Sequence, residues 1–333
     1  MSELIREFIV NDPPFGSCHA STLINVDGGY LVCWFAGSAE GKDDVRIWLA
    51  RRQNNKWCLP RQLPLAKPAP HWNPVLFSNN GMIYLFFKVG KEIPTWTTWI
   101  MSSRDEGNTW TEPAELVPGD QGGRGPVKNK PIALSDGSWV APGSIENEWW
   151  EAFVDISRDN GATWHQRMVP LDKTIFFGCK APEKMPQNHG VIQPALWEST
   201  PGHVHMLLRS SCGYICRSDS EDYGGTWSPA YKTELPNNNS GIDLVKGSNG
   251  EIALVYNPVG GNWLPRSPLS LIFSHDNGES WEDRVDIETE FGEFLYPSII
   301  FSSGEYALTY TWNRNNIVFM KGDRAGFRKY KNQ

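Results

Sequence analysis

The sequence predicts an all-β fold, a six-bladed β-propeller with four-stranded antiparallel blades, and three observations carry that expectation. The first is a polar phrase written four times: SRDEGNTW at 103–110, SRDNGATW at 157–164, SEDYGGTW at 220–227 and SHDNGESW at 274–281. The second is its spacing. The closing tryptophans, Trp110, Trp164, Trp227 and Trp281, stand 54, 63 and 54 residues apart, too long for a helical hairpin repeat and long enough for four short strands with their turns. The third is a hairpin signature, in which an apolar run, a glycine turn and a second apolar run recur six times.

In chain order the six hairpins are HASTLINVDGGYLVCWF from residue 19, NPVLFSNNGMIYLFF from 73, KPIALSDGSWVAP from 130, QPALWESTPGHVHMLLRS from 193, IDLVKGSNGEIALVYN from 242 and YPSIIFSSGEYALTYTW from 296. A third strand then leads into the polar phrase and a fourth follows it, as in TEPAELV or SPAYKTE. Trp57, in ARRQNNKW, ends a decayed copy of the phrase, 53 residues before Trp110. The sixth unit is one strand short, and IREFIV at 5–10 is placed to supply it. Closing the ring this way removes exposed sheet edges. The whole chain, 1–333, is then a single domain. A seven-bladed ring is the competing arrangement, because the stretch 165–190 is longer than its counterparts; it reads as a loop over one face.

Composition agrees. The 333 residues are 40% hydrophobic and 12% aromatic, with 31 Gly, 24 Pro and 16 Trp, a balance that favours turns and short strands over long helices. A net charge of -7 argues against nucleic acid or an anionic membrane as the main partner. The N-terminal segment has no apolar run of signal-peptide length and no segment is long enough to span a bilayer. The six cysteines form no Cys-x-x-Cys pair and no zinc-type spacing, so free thiols in a reducing cytoplasm, with no metal and no cofactor, are the expectation.

Within S-x-D-x-G-x-[TS]-W, Ser and Asp side chains can bond nearby backbone N–H groups, glycine allows a tight turn, and tryptophan fills space between sheets. The phrase therefore reads as a structural turn. Four copies at this spacing resemble the Asp-box, or bacterial neuraminidase repeat, family, whose best-known members are the sialidases. That resemblance implies a six-bladed propeller and a carbohydrate-active site at one mouth of its axis.

Aligning the units places one polar position per blade at the start of the first strand: His19, Asn73, Lys130, Gln193, the stretch Gly241–Asp243, and Tyr296. Four of these, Asn73, Lys130, Gln193 and Tyr296, precede proline, as suits an extended strand start. Seven residues beyond each turn glycine stand Phe35, Lys88, Ser144, Arg209, Asn257 and Thr311. Arg266 opens the third strand of unit five. Lys130, Arg209 and Arg266 would together form a cationic mouth, attractive to a carboxylate. His19 and His189 can exchange protons near neutral pH, and His71 precedes unit two as His189 precedes unit four. Trp150, beside Trp149, is the first choice for stacking on a sugar face.

The family resemblance adds roles. Arg209 and Arg266 look like the second and third of the three sialidase arginines, Tyr296 like the nucleophile, and Asp44, or its neighbour Asp43, like the acid. The chain departs from the pattern at two places. Cys18-His19-Ala20 stands where the first arginine belongs, and Gln193 stands where a glutamate would activate the tyrosine. These departures point away from a true sialidase. The expected function is cleavage of a terminal acidic sugar, or of a linkage beside one, in an oligosaccharide or polysaccharide. A lyase or rhamnosidase acting on rhamnosyl-glucuronate, through a histidine and Tyr296, is one alternative, and a non-catalytic carbohydrate-binding propeller is another. Glu146 is an alternative catalytic carboxylate, and Glu293, three residues before Tyr296, is placed either to polarise it or to cap the strand.

Overall fold

A computed structural model describes residues 4–177 and 188–330, so Cys179 and part of the long 165–190 stretch lie outside the described residues. Six antiparallel sheets form six blades, which sets aside the seven-bladed alternative. Blade one holds Ser17–Val26, Gly29–Gly37, Arg46–Gln53 and Lys56–Trp57, with Arg61–Gln62 also pairing the third strand. Blade two holds His71–Asn79, Met82–Val89, Thr97–Ser103 and Ala114–Glu115, and blade three Ile132–Ala133, Trp139–Glu146, Trp150–Ser157 and His165–Met168. Blade four holds Val191–Thr200, His203–Ser210, Tyr214–Ser220 and Tyr231–Pro236, and blade five Asp243–Lys246, Ile252–Tyr256, Leu269–Ser274 and Glu282–Glu288. The second strands are apolar almost throughout because neighbouring blades cover both faces; Tyr30 to Ala36 are all buried.

Blade six holds Phe294–Ser302, Glu305–Trp312 and Asn316–Gly322, and its outer strand is the N-terminal Ile5–Phe8, paired antiparallel with Phe8 opposite Val318. The seam is latched. Glu7 accepts a hydrogen bond from the Trp57 indole at 2.8 Å and pairs with the buried Arg52, while the Trp57 ring meets Phe319 edge-on at 5.4 Å. The decayed repeat has thus kept its tryptophan for closure.

The four intact boxes are wired internally. In the first, the Gly107 N–H donates to Ser103 Oγ at 2.8 Å, and Asp105 accepts from the Thr109 N–H at 2.9 Å and the Thr109 hydroxyl at 2.6 Å. The Trp110 indole donates back to the Gly107 carbonyl at 3.1 Å. Gly107 has φ +83°, and a Cβ there would lie 2.6 Å from Leu31 Cδ2 of blade one, so the box glycine serves both a left-handed turn and a close inter-blade approach.

The inner strands share an irregularity that positions the site. Pairing with the second strand slips between His19 and Thr22, Trp72 and Val75, Ile192 and Ala195, and Leu295 and Ser298. At each slip one residue is left-handed: Ala20 (φ 54°), Asn73 (44°), Gln193 (54°) and Tyr296 (53°). A bulge of this kind re-aims a side chain out of the strand alternation. The register also corrects the sequence alignment by one residue, because Ala20, and not His19, is the blade-one counterpart of Asn73, Gln193 and Tyr296. His19 matches Trp72, Ile192 and Leu295. The second-strand alignment stands: Phe35, Lys88, Arg209 and Thr311 pair with those four residues in turn.

Candidate active site

Three blades meet at Tyr296. Its phenolic oxygen accepts hydrogen bonds from Gln193 Nε2 at 3.0 Å and Arg209 Nη1 at 3.0 Å, and Arg209 Nη1 also donates to Gln193 Oε1 at 3.2 Å. The His19 ring lies against the Tyr296 ring, centroids 4.2 Å apart, and His19 Nδ1 is 3.0 Å from Thr311 Oγ1. His19, Gln193, Arg209 and Tyr296 are therefore brought together.

The surroundings are cationic. Arg209 is buried and Arg266 half-buried, and among the described residues neither pairs with a carboxylate. Arg209 is held instead by Asn239 Oδ1 at 2.8 Å, with the rings of Trp150 and Trp263 at 5.3 and 5.7 Å. Arg266 donates to Ser240 Oγ at 3.3 Å. Burial and the neighbouring Arg209 pull its pKa down to about 10. Lys128 Nζ lies 5.8 Å from the Tyr296 ring centre, is held by the carbonyls of Ile242 and Pro297 at 2.6 Å each, and is pulled by burial to about 7. Arg314 completes the set, paired with Glu293 at 3.0 Å and with Glu40. Burial first, then the charges of Arg314, Arg266, Arg209 and Lys128, hold the His19 pKa well below its usual value, so its imidazole is neutral.

Other expected site residues lie differently. Lys130 is bound to Asp243 at 2.8 Å and to the Leu244 carbonyl at 2.9 Å; Lys128, two residues earlier, is the lysine against Tyr296. Lys88 is wholly buried, capped by Thr98 and the Gly123 and Arg124 carbonyls, which takes it out of a ligand's reach. Asn73 is buried at its bulge. His189 stacks on Phe177 at 5.9 Å, its carbonyl accepting from the Trp150 N–H. His71 bonds Ala66 and Ala69 and braces a loop. Trp150 is a buried wall behind Arg209, whereas Trp263 is 54% exposed. Asp44 is exposed on its loop, and the Ser38 N–H (2.9 Å) and hydroxyl (3.0 Å) hold its carboxyl below the usual range. Glu293 pairs with Arg314.

Sequence reasoning missed Lys128, Asn239 and Arg314. The signal for Asn239 was the run Asn237-Asn238-Asn239, whose three amides are fully buried and must each find partners. One cavity opens on the cluster and a second meets it through Trp150, whose ring faces Arg209. The first, of about 660 Å³, is lined by Trp263, Arg266, Glu293 and Arg314; the second, of about 580 Å³, by Trp72, Glu146, Trp150 and Asn188. A larger opening of about 740 Å³ lies at the closure seam beside Phe8 and Trp57 and contains none of the cationic cluster. Among the described residues no three His, Cys, Asp or Glu side chains converge as a metal-holding group.

The fold is that of a sialidase-like propeller. The BNR repeat-like domain matches residues 28–308, and the chain belongs to that family. Among solved structures it is similar to the Hadza microbial sialidase Hz136 (TM-score 0.71, 16% identity, 93% of this chain and 66% of that one). It is also similar to the NanB sialidase of Streptococcus pneumoniae, as its K499G mutant (0.75, 12%, 94% and 69%). A Dyadobacter fermentans protein of unknown function matches over nearly its whole length (0.75, 12%, 96% and 99%). The chain thus spans about two thirds of the length of these two sialidases, and at such identities the likeness is one of fold. A search of curated proteins gave no significant match.

Proposed function

We propose that the mouth is the active site of a carbohydrate-active enzyme that cleaves a terminal acidic sugar, or the linkage beside one. The observation that carries this reading is that, among the described residues, neither the buried Arg209, bonded to the Tyr296 oxygen, nor the half-buried Arg266, which shares the Trp263 ring with it, has a carboxylate partner. Burying such charge is costly unless an anion completes it, and the planar fork of arginine suits a carboxylate. Tyr296 then faces the sugar with an oxygen that accepts two hydrogen bonds, one charge-assisted, which fix its position for attack. Gln193 donates to that oxygen and takes no proton from it, which supports a reaction course different from that of an enzyme with a glutamate at this place.

A second reading, elimination from a uronate, is favoured by the placement of the His19 ring against Tyr296, centroids 4.2 Å apart, where a uronate carboxylate would offset the cations that disfavour its protonation. One assay separates the two. A panel of sialosides, glucuronides and rhamnosyl-glucuronate oligosaccharides is followed for released reducing sugar and for the ultraviolet absorbance of unsaturated uronate. Tyr296→Phe is expected to lose activity by at least about 1,000-fold with its thermal unfolding unchanged. Ligand bound only at blade edges, with no turnover of any glycan, would sink the enzyme reading in favour of a binding propeller.

A further inference from the structure

We propose that Glu146 is the carboxyl group that donates a proton to the departing glycosidic oxygen, the role that family resemblance gives to Asp44. The inference rests on the reading of the mouth given above and adds the residue that completes its chemistry.

Geometry carries it. Ser144 stands seven residues past its turn glycine, as Arg209 does in blade four. Side chains alternate along a strand, so Glu146 projects from the same face as Ser144, one rung nearer the rim. Its register partner is Trp150, whose ring lies 5.3 Å from the Arg209 guanidinium. Glu146 shares a cavity with Trp72, Trp150 and Asn188. From Trp72 buried rings run through Phe35 (5.6 Å) and His19 (5.6 Å) to Tyr296 (4.2 Å), and Glu146 lies close enough to Arg209 to feel its charge.

The carboxyl is also kept unpaired. Among the described residues Glu146 forms no ion pair, and a 3.5 Å contact from Ser144 Oγ is its recorded hydrogen bond. A half-buried carboxyl resists ionisation, and burial raises its pKa although Arg209, the Ser144 hydroxyl and Lys88 oppose the shift. Asp44 contrasts on each count. It is exposed, it accepts two hydrogen bonds from Ser38, and its charged form is the favoured one. It has no proton to give at neutral pH.

In hydrolysis the bond from the anomeric carbon to the leaving oxygen breaks, and its electron pair stays on that oxygen, which takes the Glu146 proton. Tyr296 Oη bonds to the anomeric carbon and releases its own proton to solvent. Water then adds its hydroxyl to the carbon as the bond to Tyr296 Oη breaks, its electron pair staying on Oη, while the Glu146 carboxylate takes the other water proton. The freed tyrosine oxygen recovers a proton from solvent. In elimination the leaving oxygen needs the same proton.

The test compares Glu146→Gln and Asp44→Asn with wild type on two kinds of probe. These are acidic oligosaccharides, which leave poorly, and 4-methylumbelliferyl glycosides of N-acetylneuraminic and glucuronic acids, which leave well. Glu146→Gln is expected to lose about 100-fold in kcat on the oligosaccharide and less than about 10-fold on the methylumbelliferyl glycoside. It should also flatten the alkaline limb of kcat/KM against pH. Asp44→Asn should keep that limb. The reverse pattern, or a Glu146→Gln enzyme with wild-type rates and pH profile, overturns the assignment alone. If wild type turns over no glycan, the functional reading falls and the assignment with it. Unchanged thermal unfolding shows that Glu146→Gln has folded.

Discussion

Tyr296 sits in a left-handed backbone conformation that an isolated tyrosine would seldom adopt, at a cost of about 1–3 kcal/mol. Gln193 bears the same strain, and the reward is that their side chains meet at 3.0 Å across two blades. At this scale the choice of donor decides the chemistry. Gln193→Glu would set a carboxylate against Arg209 and neutralise the charge left for a ligand. Binding of a carboxylate sugar is expected to weaken by about tenfold, read by calorimetric titration. Arg209→Lys forfeits the fork that reaches Asn239, Gln193 and Tyr296 together. The expected loss in kcat/KM is about 100-fold, and a loss under threefold would remove Arg209 from substrate capture. These residues were only partly legible in the sequence. Proline after Asn73, Gln193 and Tyr296 marked the bulges, but the same landmark chose Lys130 over Lys128, and no proline marks Ala20 in blade one. A one-residue slip is invisible to any count made from turn glycines.

Box, hairpin and seam are the elements, and here the sequence was read more fully, because each depends on local hydrogen bonding and not on which side chains meet across the ring. The carboxylates of Asp105, Asp159 and Asp276 are held at about 2, against 3.8 for a free aspartate, by neighbouring hydroxyl and backbone donors. A depressed carboxylate contributes stability above its unfolded pKa and loses it as pH falls through the folded one. Denaturant midpoints should therefore fall between about pH 4 and 2, and Asp105→Ala should flatten that fall; an unaltered slope would argue against the box as a stabilising turn. A different pin joins blades four and five. His205 Nδ1 meets Asp219 at 2.5 Å, its Nε2 meets Ser199 Oγ at 2.8 Å, and Asn277 of the next blade's box reaches the same Nε2 at 3.1 Å. At the seam, Glu7→Ala leaves Arg52 buried without its partner. The expected cost is on the order of 3 kcal/mol, measurable by urea unfolding.

Across the whole molecule, a chain of net charge -7 gathers Arg209, Arg266, Arg314 and Lys128 around one mouth. Such a field concentrates anions there, so kcat/KM for an acidic glycan should fall as salt rises from about 20 to 200 mM while kcat changes little. The repeat spacing made the ring legible, because four boxes fix four blades and the hairpins supply the other two. The mouth was less so. Its shape depends on Asn239 and Arg314, which come from connections that follow no period.

The strand Ile5–Phe8 is synthesised well before the strand it pairs with. Its partner Asn316–Gly322 lies more than 300 residues later, so at ordinary synthesis rates of 5–20 residues per second the strand waits roughly 15 to 60 seconds without its neighbour. Until the final blade emerges, two sheet edges stay open, each able to pair with another chain. Yield during expression should then depend on translation speed through blade six as much as on the stability of the finished ring.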